Sequence, residues 1–215
     1  CTKWRRRGHA VTVAVNLSAR NLDNAMVIGH IAEAIRATGA KAEWLILEIT
    51  ESSMMKHPEE AVAALTKIAD LGICLSLDDF GTGYSSLSYL QRLPVKELKI
   101  DRSFVCGLTE DKPTDSAADL FRSITTLGTN MKMRIVAQGI ETISKLNAVT
   151  ALGCQIGQGF LICRPLATAY FQRWLDVCPG RQQIMHHVPA SNSATPRGTS
   201  PTPIQPKPRR RLTTT

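Results

Sequence analysis

The chain has 215 residues, 43% of them hydrophobic and 20% charged, with a formal net charge of +8. That length suits one sizeable domain plus extras, and the absence of a signal peptide or of a run of about 18 apolar residues excludes a transmembrane helix as a reading. From Gly180 onward there are no acids, six prolines and six basic residues, so this segment supplies +6 of the charge and leaves the rest near +2. Taken in chain order, Lys3 to Arg7 resembles the end of an amphipathic helix. An apolar run, Val11 to Val15, then ends at Asn16. A helix is predicted over 24–38, with Val27, Ile31 and Ile35 on one face and Gly39 as its stop. Leu45-Ile46-Leu47 ends at Glu48, and a helix over 58–71 opens with Pro58-Glu59-Glu60 and carries Val62, Leu65 and Ile68. Ile73 to Leu77 reads as a buried strand ending in Asp78-Asp79, and Val95 to Leu98 leads to Lys99, Ile100 and Asp101. A helix over 115–133 shows Leu120, Ile124, Leu127 and Met131 on one face. Ile135 to Ala137 ends at Gln138, with Glu141 three residues on, and a helix over 142–152 starts with Thr142 as N-cap. Cys154 to Gly157 leads to Gln158.

The β-α alternation repeats every 25–35 residues, which points to an α/β barrel or a doubly wound sheet. No Gly-x-Gly-x-x-Gly follows the first strand, so a dinucleotide fold has little support. The most informative stretch is Asp78-Asp79-Phe80-Gly81-Thr82-Gly83-Tyr84-Ser85-Ser86-Leu87. Two bare carboxylates at the end of a buried strand are costly unless something compensates. A divalent cation with oxygen ligands, Mg, Mn or Ca, is one answer; a solvated Asp-Asp turn is the other, and these ten residues do not separate the two. Six apolar runs finishing in a carboxylate, amide or amine favour a site, because parallel βα folds gather active groups at the carboxyl ends of their strands. The five histidines avoid these ends, which disfavours zinc, and the six cysteines form no Cys-x-x-Cys, which favours reduced thiols and a cytoplasmic setting. Residues 1–178 are expected to fold, and 179–215 to form a disordered tail whose basic residues could touch nucleic acid or anionic lipid only weakly. Because position 1 is Cys rather than Met, the chain is expected to begin inside a larger protein.

Together these residues resemble the EAL family of bacterial cyclic-di-GMP phosphodiesterases. The similarity runs through Val15-Asn16-Leu17-Ser18, Leu47-Glu48-Ile49-Thr50-Glu51-Ser52, Asp78 to Leu87, Leu98 to Val105, Val136 to Thr142, Gln158-Gly159-Phe160-Leu161 and Arg164-Pro165, over roughly residues 3 to 175. The resemblance implies a modified (β/α)8 barrel of the TIM type with its site at the C-terminal face. It also implies two Mg or Mn ions, which serve an in-line attack of water that opens cyclic-di-GMP to linear pGpG. By the same resemblance Asn16, Glu48 and Asp78 would ligate one metal and Asp79 the other. Lys99 would orient the water, Glu51 would anchor the loop from Gly81 to Ser86, and Glu141 and Gln158 would support the network. A family-type homodimer is implied as well.

Two departures bear on function. The Glu-Ala-Leu segment that names the family is absent, so about two of the family's eight strands are missing, leaving an incomplete barrel of about six strands with open edges. The family's Ala-Glu-Gly-Val-Glu-Thr reads Ala137-Gln138-Gly139-Ile140-Glu141-Thr142, which puts an amide at the general-base position. Loss of such a base costs about 10²–10⁴-fold in rate. Blander roles stay open beside these: Asn16 as a turn cap, Glu48 and Glu51 as a solvated pair, Lys99 as a surface charge, Gln138 as a structural amide in the barrel mouth, Glu141 as a helix N-terminal acid and Gln158 as a backbone partner. Three readings compete: a catalytically impaired domain that binds cyclic-di-GMP or a protein partner, an active phosphodiesterase, and an unstable remnant.

Overall fold

Six short strands pair side by side, all parallel, in the order in which the chain makes them. They are β1 (Val13–Asn16), β2 (Leu45–Thr50), β3 (Cys74–Phe80), β4 (Glu97–Ile100), β5 (Arg134–Gln138) and β6 (Ile156–Gln158). The structure, a computed structural model, describes residues 1–22, 26–54, 57–82, 87–108 and 115–177. The expected tail over 179–215, the residues of the helix prediction before Met26, and Gly83 to Ser86 lie outside them. The strands form a half-barrel, in line with an incomplete barrel of the TIM kind.

Alternation along each strand sorts the side chains into two environments. Leu47 and Ile49, Leu75 and Leu77, Leu98 and Ile100, and Ile135 and Ala137 pack outward into the main hydrophobic core under the helices. The alternate positions, Glu48, Ser76, Asp78, Glu97 and Lys99, are buried on the concave side. A strand buried on both faces ordinarily carries apolar residues throughout. Polar residues here therefore mark the inner face as built for something other than cohesion.

The helices follow their sequence signals with two corrections. The five-residue α1 (Thr2–Arg6) precedes β1, and α2 (Ala19–Leu22) follows it. Next comes α3 (Val27–Thr38), closed by Gly39 at φ 62°, with Val27, Ile31 and Ile35 half-buried against the core. After β2 come α4 (Glu51–Met54) and α5 (Pro58–Asp70), the latter with proline in its first turn and Ala61, Leu65 and Ile68 buried. Burying each large aliphatic side chain contributes about 1.5–3 kcal/mol. After β3 comes α6 (Leu87–Leu90), and after β4 come α7 (Arg102–Cys106) and α8 (Asp115–Asn130).

The predicted helix over 115–133 stops three residues early, because Lys132 adopts a left-handed conformation at φ 59° and turns the chain into β5. Its inward face also differs. Phe121 is fully buried and Ile124 nearly so, while Leu120 points to solvent. In α9 (Ile143–Ala151) the Thr142 side chain accepts from the Lys145 N–H, as the N-cap reading required. Last comes α10 (Thr168–Val177), which the sequence reading did not anticipate, and which packs against α1. The rings of Trp4 and Phe171 meet edge-on at 4.9 Å, Phe171 stacks on Trp174, and Asp176 bonds both Arg7 and His9. The helices flanking the two edge strands thus touch. Among the described residues no helix is long and apolar enough to cross a membrane.

Candidate active site

The carboxyl ends of β2 to β5 bring four charged or amide side chains into direct contact. Lys99 Nζ donates to Glu48 Oε1 at 2.8 Å and lies 3.2 Å from Asp78 Oδ1. Gln138 Nε2 donates to the same Asp78 oxygen at 2.8 Å, and the Asp79 backbone N–H donates to it at 3.1 Å. Only an N–H can face a carboxylate, so this contact also fixes which way round the Gln138 amide stands. Lys99 is 2% exposed, which overturns the reading of it as a surface charge. A buried ammonium between two carboxylates holds only when each charge is paired.

Backbone devices aim these groups. The β3–β4 register slips between Leu77 and Phe80, and Asp79 takes φ 55°, a conformation that non-glycine residues seldom adopt. Asp78 and Asp79 stand close enough for the charge of one to act on the other. Burial pushes the Asp79 carboxyl above its ordinary value, and the charges of Asp78 and Asp101 push it further, with Lys99 opposing. Beyond Gln138, Gly139 turns at φ 75° with Arg102 so close that a methyl group there would sit 2.6 Å from its Cβ. Gly159 is tighter: a Cβ would lie 2.1 Å from the Ile140 carbonyl oxygen. The turn after β5 is thus fitted against Arg102 and the turn after β6 against the backbone of Ile140.

The remaining expected site residues fall around this cluster to differing degrees. Asn16 is the register partner of Glu48, and Gln158 that of Gln138. Glu51 is buried at the start of α4, directly after β2; much of the loop it was expected to anchor lies outside the described residues. Glu141 stands apart, exposed just before the N-cap of α9 and 3.7 Å from Lys145 in that helix. Asp101 was passed over as a site residue. It N-caps α7 by accepting from the Ser103 N–H at 2.9 Å; although burial raises its carboxyl, the bonds from Ser103 and Arg102 prevail and hold it below its ordinary value. The Asp-x-Ser spacing after a strand end was the available signal. On the loop after β6, Phe160 is 52% exposed with the Arg164 guanidinium 5.0 Å over its ring.

As donors, Asn16, Glu48, Asp78 and Asp79 have the oxygen chemistry of a hard-cation site. Their arrangement does not suit a divalent ion without movement. The cation between Glu48 and Asp78 is Lys99, and Asp78 Oδ1 already accepts two N–H donors beside that ion pair. Among the described residues no three acidic, histidine or cysteine side chains are grouped to hold a metal.

A parallel half-barrel with a buried acid, lysine and amide cluster at its C-terminal face defines an α/β protein of the barrel class. A family model described as the EAL domain matches residues 1–165, and the chain belongs to that family, the family of cyclic-di-GMP phosphodiesterases. It is 42% identical over 164 residues to the bifunctional diguanylate cyclase/cyclic di-GMP phosphodiesterase MucR of Pseudomonas aeruginosa, covering 76% of this chain and 24% of the relative. The chain thus spans about a quarter of the length of that curated protein. The solved PaMucR phosphodiesterase in complex with c-di-GMP superposes with a TM-score of 0.73 at 40% identity, over 78% of this chain and 67% of that one. A manganese and c-di-GMP complex of Klebsiella pneumoniae BlrP1 gives a TM-score of 0.64 at 26% identity, over 72% and 39%.

Proposed function

We propose that this chain is an EAL domain that binds cyclic-di-GMP at its C-terminal face and cleaves it slowly or not at all. The observation that carries the reading is Gln138. Its amide donates to Asp78 at 2.8 Å at the place where resemblance puts the general base. An amide donor cannot accept the proton of an attacking water, and the loss of that step is expected to lower the rate by about 10²–10⁴-fold. Mg or Mn, two ions by resemblance, would draw on Asn16, Glu48, Asp78 and Asp79; with Lys99 and Gln138 holding Asp78, weak occupancy is expected. Lys99, held between Glu48 and Asp78, would offset the charge of a phosphate brought to the strand ends. The exposed Phe160 face beside Arg164 offers a flat surface suited to a purine. A purified sample is titrated calorimetrically with cyclic-di-GMP, and pGpG is measured in the same buffer with Mg or Mn. Binding without product is expected. Sustained pGpG release refutes the reading and favours the active phosphodiesterase that the MucR likeness suggests.

A further inference from the structure

We propose that the Gln138 side chain does the work of a cation at this site, so that the acid cluster is closed and ordered without divalent metal. Two independent geometries support this. First, Asp78 Oδ1 accepts N–H bonds from Asp79 at 3.1 Å and Gln138 at 2.8 Å and is ion-paired with the Lys99 ammonium at 3.2 Å. A carboxylate oxygen so occupied gains little from a cation and must give up donors to take one. Second, Gln138 has little freedom to withdraw. Its backbone is paired with β6 opposite Gln158, and the next residue, Gly139, turns at φ 75° against Arg102.

A carboxylate at position 138 reverses the situation. It would place an anionic oxygen about where the amide nitrogen now stands, 2.8 Å from Asp78 Oδ1. Two carboxylates at that separation repel, and a bridging cation relieves the repulsion. The amide therefore sets the metal demand of the site: neutral donor, low demand; carboxylate, high demand. Gln138 is on this view a positioning residue that acts through Asp78. The inference shares the site assignment of the proposed function but not its claim about turnover. Product release by the unaltered chain would end that claim and leave this one standing, to be decided by metal titration.

The test compares the full chain with Gln138→Glu in two measurements, thermal unfolding in EDTA or in manganese, and calorimetric titration with manganese alone. Expected for the unaltered chain is a melting temperature that manganese leaves within about 1 °C of its EDTA value. Expected for Gln138→Glu is a lower melting temperature in EDTA, its recovery in manganese, and manganese affinity higher by at least about tenfold. Equal manganese affinity in the two proteins, or equal stabilisation by manganese, overturns the proposal. If Gln138→Glu does not fold, Gln138→Met decides. Loss of the donor should lower the melting temperature in EDTA and leave it partly recovered in manganese, whereas an undiminished melting temperature, or a loss equal in both buffers, would overturn the proposal.

Discussion

Replacing Lys99 by Met tests whether the acid cluster is held by charge. The ammonium lies 2.8 Å from Glu48 Oε1 and 3.2 Å from Asp78 Oδ1. At an effective dielectric of about 20, Coulomb's law gives roughly 5–6 kcal/mol of gross attraction for each contact. Most of this offsets the cost of taking three charges out of water. What the substitution exposes is the imbalance left behind, two carboxylates with no cation between them. Removing one partner of a buried pair costs about 3–5 kcal/mol. With a urea dependence of about 2 kcal/mol per molar, the unfolding midpoint of Lys99→Met should fall by roughly 1.5–2.5 M. Adding Glu48→Gln removes one of the stranded anions, so the double variant should be more stable than Lys99→Met alone, with a coupling of about 0.5–3 kcal/mol. A midpoint lowered by less than about 0.5 M, or no coupling to Glu48, would show that the lysine is not the counter-ion of this cluster.

Three further outcomes follow from packing and titration. Gly159→Ala drives a Cβ to 2.1 Å from the Ile140 carbonyl oxygen, a backbone atom with no room to retreat; a loss of more than about 3 kcal/mol in thermal unfolding is expected, and one under about 1 would show the contact to be slack. Trp4→Ala removes the edge contact with Phe171, so amide exchange should speed up in α10 while α5 keeps its protection; equal change in both helices would argue that the terminal contact is not local. Glu97 is fully buried on the inner face of β4, with Arg134 Nη2 3.0 Å from one oxygen; burial raises its carboxyl above the ordinary 4.5, and Arg134 only partly opposes this. The folded state then binds its proton more tightly than the unfolded chain. Stability contributed by this group is full below about pH 4.5 and falls as pH rises toward the folded value. Glu97→Gln should flatten that fall and be the more stable protein at pH 7 in urea titrations; parallel pH profiles would contradict it.

How far the sequence carries this picture depends on the kind of signal. Strand ends were legible because apolar runs stop at single polar residues, and Glu48, Asp78, Lys99 and Gln138 do converge. Helix caps were legible where chemistry dictates them, as at Thr142 and Pro58. The inward face of α8 was not, because Leu120 and Phe121 are both apolar neighbours and only tertiary packing decides which turns in. Nor was α10, whose partner, Trp4, lies far away in the chain. The buried state of Lys99 could be inferred only through resemblance; nothing local distinguishes it from a surface lysine. The contact between Gln138 and Asp78 spans 60 residues and needs a register that no motif states.

That span has a consequence for how the protein reaches its native state. Lys99 meets Glu48 across 51 residues, Gln138 meets Asp78 across 60, and each side chain comes from a different strand. The neighbouring pair β3 and β4 joins Lys99 to Asp78, but Glu48 and Gln138 come from the strands on either side. A chain that slips one crossover by one residue turns its inner face outward and strands bare charge in the core. The cluster is thus a proofreading device for assembly as well as a site, satisfied only when β2, β3, β4 and β5 have all arrived in step.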